Sequence, residues 1–139
     1  QLSNGNLISG SADTTSVIWN LTSGSQLNNI EPISIVDEVY CLKELPDGNI
    51  VFSGGSSQTI DTWKIVGIGV QYKVARSNSI INTTPCKAMV VYNNSLLAVA
   101  SSSTQIYLVD ITSSTDLQLV TTLNSTLSSV TCFEIQGDF

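Results

Sequence analysis

The sequence predicts an all-β fold, made of four-stranded antiparallel sheets that follow one another in three repeat periods. Short apolar runs alternate with turns rich in Gly, Ser, Asn and Asp, which is the pattern of strands joined by tight turns. Val70, Tyr72 and Val74 alternate with polar residues, as in a strand with one solvent-exposed face. No long stretch carries the 3.6-residue period of a helix, and β-branched residues and Ser dominate.

The repeat is read from matched segments. Leu2–Asn6 recurs 43 residues later as Leu45–Asn49. Ser9-Gly10 and Trp19 recur 44 residues later as Ser53-Gly54 and Trp63, and Ile50–Ser53 recurs 47 residues later as Leu97–Ala100. A period of this length is typical of stacked four-stranded units. The residues 1–139 therefore form a single segment with approximate periods 1–37, 38–84 and 85–129, and 130–139 supplies the first strand of a next unit.

The second period shows all four expected strands. They are predicted at Val39–Leu45, Asn49–Ser53, Gln58–Ile65 and the alternating run from Val70 to Val74. Asp-Gly in the first turn is a strong hairpin signal. The inner runs are apolar on nearly every residue, which indicates sheets that are covered on both faces by neighbouring sheets.

The phase of the repeat predicts an open strand edge. Leu2 matches the end of a first strand that the first period does not contain, so its second strand should have one unpaired side. Val130–Ile135 matches the first strand of the second period and is the candidate donor of such a strand, with its apolar residues at Val130, Cys132, Phe133 and Ile135. Two interpretations stay open: the chain is an excerpt of a longer protein, or copies assemble head to tail.

These features resemble the WD-repeat β-propeller family over the whole chain. The resemblance rests on the repeat period, the strand order, Asp13 in the turn before the third strand, and the dipeptides that close the third strands, Trp19-Asn20, Trp63-Lys64 and Val109-Asp110. No copy has the complete Trp-Asp, and the family's Gly-His is absent because the chain has no His. The resemblance implies propeller blades in a ring of four to eight. It also implies that packing holds these blades together, with Trp19 and Trp63 in the core between them.

The composition excludes several kinds of chemistry. Without His there is no Ser-His or Cys-His nucleophile, and no metal, phosphate or cofactor motif is present, so we expect no enzyme, no cofactor and no metal site. The net charge is −6, and the 5 Lys and Arg form no cluster, so neither nucleic acid nor an anionic membrane is an expected partner. No apolar run is long enough to cross a membrane. The 3 cysteines at Cys41, Cys86 and Cys132 are expected to be small buried hydrophobic residues.

Glycosylation is the one modification with a sequence signal. Asn-x-Ser/Thr occurs at Asn20, Asn82, Asn93 and Asn124, and all but Asn20 are expected in or beside turns. The compartment stays open, with the cytoplasm slightly favoured over the outside of the cell. The predicted function is a non-catalytic protein-interaction scaffold built from propeller blades, whose partners are other proteins or further blades of the same protein. The alternative is a structural protein whose subunits self-associate head to tail by strand complementation into a ring or filament, outside the cell and glycosylated.

Overall fold

The computed structural model describes residues 1–27, 38–54, 60–66, 70–77, 86–113, 116–124, 126 and 130–133. They form three antiparallel sheets. Sheet I holds β1 (Leu7–Gly10), β2 (Ser16–Asn20) and β3 (Ser25–Gln26). Sheet II holds β4 (Val39–Glu44), β5 (Ile50–Gly54), β6 (Ile60–Val66) and β7 (Val70–Ser77). Sheet III holds β8 (Cys86–Asn93), β9 (Leu96–Ser101), β10 (Gln105–Asp110) and β11 (Gln118–Asn124).

Each sheet is a meander, because strands that are consecutive in the chain are also neighbours in space. The described residues contain no helix. The expected all-β architecture is confirmed, and the four strands expected in the second period are β4 to β7. All three sheets are open rather than closed into barrels.

The turns that open β1 and β5 are the same structure. In Leu2–Asn6 and Leu45–Asn49, the amide of the first residue donates to the carbonyl of the last at 2.7 and 2.8 Å. In both, the amide of the fourth residue donates to the carbonyl of the first at 2.9 Å. The fourth residue is Gly5 or Gly48, with φ of 87° and 81°, a conformation that Gly adopts without strain. Sheet I therefore begins one strand later in the repeat than sheet II does.

The register corrects one detail of the repeat. Gly10 lies opposite Ser16 in sheet I, and Ser53 lies opposite Ile60 in sheet II. Gly10 therefore corresponds to Ser53, at an offset of 43, and its predicted match to Gly54 at 44 is wrong. The physical reason is that sheet II has one more residue between Ser53 and Ile60 than sheet I has between Gly10 and Ser16, and an insertion outside the paired residues leaves the strand pairing intact.

Two apolar clusters join the sheets. The cluster between sheets I and II contains Leu2, Ile8, Ile18, Val39, Ile50 and Phe52. The cluster between sheets II and III includes Cys41, Val51, Ile60, Cys86, Leu97, Val99 and Val109. The consecutive residues Ile50, Val51 and Phe52 contribute to the two clusters in alternation, because successive side chains of a strand point to opposite faces. The prediction that inner strands are covered on both faces is thus confirmed for β5.

Sheets I and II approach most closely at Gly10. A Cβ atom on Gly10 would lie 2.3 Å from Cγ1 and 2.8 Å from Cβ of Val39. The amide of Val39 also donates to the carbonyl oxygen of Ser11 at 3.0 Å, so the start of β4 is fixed against the end of β1. The contact requires a residue without a side chain on this side of the interface.

We expect Gly10→Ala to lower the free energy of unfolding by about 1–3 kcal/mol, because the new methyl group overpacks the interface. Val39→Ala in the same chain should restore part of the loss, since it removes the atoms that the methyl group would strike. Urea denaturation of both single variants and the double variant measures this coupling. Additive effects of the two substitutions would show that the close approach is absent in solution.

The turn before β2 is organised by Asp13. The Thr15 hydroxyl and the Thr15 amide donate to Oδ1 of Asp13 at 2.6 and 3.0 Å. These hydrogen bonds lower the pKa of the exposed Asp13 carboxyl from its ordinary value, and the bond from the Thr15 hydroxyl has the largest effect. The sequence singled out Asp13 as the turn residue, and the structure shows that its partners are local.

Thr15→Val should raise the pKa of Asp13 towards its ordinary value, as followed by carboxyl carbon NMR across acidic pH. Because the folded pKa is the lower one, the hydrogen bonds stabilise the fold above the unfolded pKa. That contribution is lost as the pH falls through the folded pKa. Asp110 is the matched control: Thr112 lowers its pKa in the same way, and its titration should not move in the variant. An unchanged Asp13 titration would contradict the assignment.

Candidate functional site

The open edge of β1 is the candidate functional site. In sheet II the corresponding strand, β5, lies between β4 and β6. Among the described residues β1 pairs with β2 alone, so the backbone groups of its other side have no strand partner there. Such an edge offers a row of N–H and C=O groups to an incoming strand. The open edge that the sequence predicts is therefore found in the described part of the chain.

A groove lies beside this edge. It has a volume of about 250 Å³ and is lined by Gln1, Leu2, Ile8, Leu42, Lys43 and Glu44. Its wall is fixed across the two sheets, because the amide and hydroxyl of Ser3 donate to the two carboxylate oxygens of Glu44 at 2.6 and 2.7 Å. A lining that contains both apolar and polar side chains suits an extended segment that buries alternate side chains.

The outer face of sheet I also has no covering sheet in the described part of the chain. Ile18 is buried against sheet II, so its neighbour Trp19 lies on the opposite face, where its indole Nε1 donates to the Ser9 hydroxyl at 2.9 Å. Leu7, on the same face, is 38% exposed, whereas Ile50 at the corresponding position of sheet II is 1% exposed. Trp19 is thus half-buried, and among the described residues no second sheet covers it, so its expected place between two blades stays a prediction. The side chain of Trp63 lies outside the described part.

Sheet III ends in a complementary apolar face. Leu97 and Val99 pack towards sheet II, so Ala98 and Ala100 of the same strand face away from it. Their cross-strand partners on β10 are Leu108 and Ile106, both half-buried, and the Ile106 partner on β11 is Leu123, which is 47% exposed. By its position in the repeat this face corresponds to the Ile8 and Ile18 face of sheet I, which sheet II covers. The stack therefore presents the two halves of one interface at its two ends.

The candidate donor segment is described only in part. Val130 and Phe133 are half-buried, Cys132 is exposed, and residues 130–133 form no strand. Ile135 lies outside the described residues, and the role of the segment as a strand donor stays a prediction. Cys41 and Cys86 are buried as expected, but the same prediction is wrong for Cys132. Because residues 130–133 belong to no sheet, no interface between sheets buries the Cys132 thiol.

The candidate glycosylation sites that the structure describes lie at the ends of strands. Asn20, Asn93 and Asn124 are the last residues of β2, β8 and β11, and Asn82 lies outside the described residues. Oδ1 of Asn93 accepts hydrogen bonds from the Ser95 amide and hydroxyl, both at 2.8 Å, and Oδ1 of Asn20 accepts one from the Thr22 amide at 2.8 Å. Asn93 and Asn124 are exposed and Asn20 is half-buried, so the first two are the more accessible acceptors.

The described residues supply no group of three or more His, Cys, Asp or Glu side chains that could hold a metal ion. Within the same residues, no helix has the length and apolar character needed to cross a membrane. The features that the described residues do bring together are backbone edges, apolar faces and a pair of buried thiols.

Comparison with known proteins adds information on the fold. No family model matches the chain, and no curated protein matches it. The chain is similar to the crystal structure of the computationally designed Ika4 protein, with a TM-score of 0.69 and 21% identity over 97% of this chain and 76% of that one. It is also similar to the structure of U3-55K, with a TM-score of 0.60 and 20% identity over 83% of this chain and 33% of that one. The chain thus spans about a third of U3-55K, and at these identities the likeness is one of fold alone.

Proposed function

We propose that this chain is a non-catalytic protein-interaction scaffold built from propeller-type blades, and that the open edge of β1 receives a further strand. The proposal rests on the observation that the turns Leu2–Asn6 and Leu45–Asn49 have the same backbone hydrogen bonds. Sheet II continues from its turn back into β4, whereas the described part of sheet I has no strand in that place. An edge with this geometry recognises a partner by main-chain hydrogen bonds and by pockets for alternate side chains.

The repeat also gives a register for the incoming strand. In sheet II, Val39 pairs with Gly54, Cys41 with Ser53, and Leu42 with Phe52. Transferred to sheet I with Val130–Ile135 as the donor, Cys132 lies opposite Gly10 and Phe133 lies opposite Ser9. Phe133 then turns to the outer face beside Trp19, and Cys132 turns towards Val39 of sheet II. Apolar contacts on both faces would accompany the backbone pairing.

The register can be tested with a peptide of residues 128–137 added to the Cys132→Ser chain. A peptide that carries F133C and C132S should form a disulfide with a Ser9→Cys chain under mild oxidation. The matched control peptide, with E134C and C132S, presents its thiol on the opposite face, because a shift of one residue reverses the side chain. The peptide with the original residues should also slow amide hydrogen exchange in β1.

Equal disulfide yields with the two peptides would refute the register, and unchanged exchange in β1 would refute strand addition. Catalytic activity that a single substitution removes would refute the non-catalytic part of the proposal.

Head-to-tail assembly is the second candidate function, and the complementary end faces favour it. The face of sheet III that lies away from sheet II corresponds to a face that is covered inside the chain, and the outer face of sheet I corresponds to the face that covers it. A contact between such unlike faces is heterologous, so it gives a ring if the rotation closes and a filament if it does not. In this case the partner at the open edge is a second copy of the chain.

Sedimentation equilibrium distinguishes the two candidates. If copies assemble, Leu123→Lys should weaken association by about tenfold or more, because it places a charge in the apolar contact. Leu21→Lys is the control, since Leu21 is similarly exposed, at 51%, but lies in the turn between β2 and β3 rather than in a strand. A chain that stays monomeric at high concentration, or a chain that both substitutions affect equally, contradicts head-to-tail assembly.

A further inference from the structure

Two thiols meet between sheets II and III, away from the open edge. Cys41 lies in β4, Cys86 is the first residue of β8, and both belong to the cluster that joins the two sheets. The two thiols lie close enough for each to shift the pKa of the other. Cys41 is 9% exposed and Cys86 is 1% exposed, so one thiol lies at the rim of the interface and the other inside it. Wide spacing in the sequence gave no sign of this pair.

Matching irregularities in the two strands hold the thiols opposite each other. The pairing of β4 with β5 skips Tyr40, and the pairing of β8 with β9 skips Lys87. Bulges of this kind re-aim side chains at a defined point of a strand. Nζ of Lys87 lies 4.9 Å from the centre of the Tyr40 ring, so the two bulged residues also contact each other. This second contact, next to the thiol pair, fixes the first strands of the two sheets relative to each other.

The two thiols differ in reactivity. The hydrogen bond from the Cys86 thiol, aided by the positive charge of Lys87, lowers the pKa of Cys41, although burial opposes the shift. The hydrogen bond to Cys41 and burial together raise the pKa of Cys86. The Cys86 sulfur also lies 3.6 Å from the carbonyl oxygen of Ala88, a second acceptor for its proton. Cys41 is therefore the attacking thiol, because thiolate character and access determine the rate of exchange.

We propose that Cys41 and Cys86 form a dithiol site that reacts with low-molecular-weight disulfides and closes to a disulfide between sheets II and III. The Cys41 thiolate attacks one sulfur of the small disulfide, forms a mixed disulfide and releases one small thiolate. That thiolate takes the Cys86 proton, and Cys86 then attacks the Cys41 sulfur and releases the second thiolate, which takes up from water the proton that Cys41 lost on ionising. The two protein thiols are oxidised to one disulfide, and the small disulfide is reduced to two thiols.

The test uses the Cys132→Ser chain, which removes the exposed thiol, with oxidised glutathione at neutral pH. The product should lose two hydrogens by intact mass, contain a Cys41–Cys86 cross-link by peptide mapping, and return to the dithiol with dithiothreitol. Closing this loop should raise the midpoint of thermal unfolding by roughly 5–15 °C. Under denaturing conditions the specific pairing should disappear, because only the fold brings these thiols together.

Two variants in the same background test the order of the steps. Cys86→Ala should stop at one glutathione adduct on Cys41, and Cys41→Ala should leave Cys86 unmodified in the folded chain. Cys132→Ser chains that keep both free thiols after prolonged exposure, or that carry glutathione on Cys86 first, would overturn the proposal. The mapping of the chain with both thiols decides the question even if a variant fails to fold.

Discussion

The close packing of each sheet against the start of the next sheet is the constraint on which the rest of the structure depends. Val39 lies over Gly10, where a single methyl group has no room, and its amide is bonded to the backbone beyond β1. At the corresponding place between sheets II and III, Cys86 lies beside Ser53, whose hydroxyl favours the lower pKa of its thiol. The two interfaces between sheets therefore have the same contact with different side chains. The backbone geometry at this contact determines the position of each sheet relative to the previous one.

The proposed functions rest on the faces of sheets I and III that do not make this contact. Sheet II has a neighbour on both faces, while sheets I and III each have one face without a neighbour among the described residues. The open edge of β1 adds unpaired backbone groups to the uncovered face that contains Trp19. An interaction scaffold needs no reactive group, since an edge and two faces already provide direction, register and apolar area. The buried dithiol lies in the interface that is complete, so its oxidation would strengthen a contact that already exists.

Much of the fold could be predicted from the sequence because the chain repeats a local pattern. Apolar runs, Asp-Gly and Asn-Gly turns and the spacing of Trp19 and Trp63 give the strand order of each sheet, since hairpins form between neighbours in the chain. The phase of the repeat also indicates the open edge. The match of β1 is one residue off because Ser9-Gly10 is identical to Ser53-Gly54 in the sequence, whereas strand pairing aligns it with Phe52-Ser53.

The sequence by itself determined the all-β character, the repeat and the absence of histidine chemistry, because these follow from composition and from contacts between near neighbours. The tertiary structure alone decided which side chains meet across the sheets. Cys41 and Cys86 are 45 residues apart and meet in one buried cluster, while Cys132, in a matching sequence context, is exposed. Tyr40 and Lys87 meet because two bulges re-aim them, and bulges leave no mark in hydrophobic periodicity. Contacts between sheets depend on how the strands stack in space, which a one-dimensional pattern does not encode.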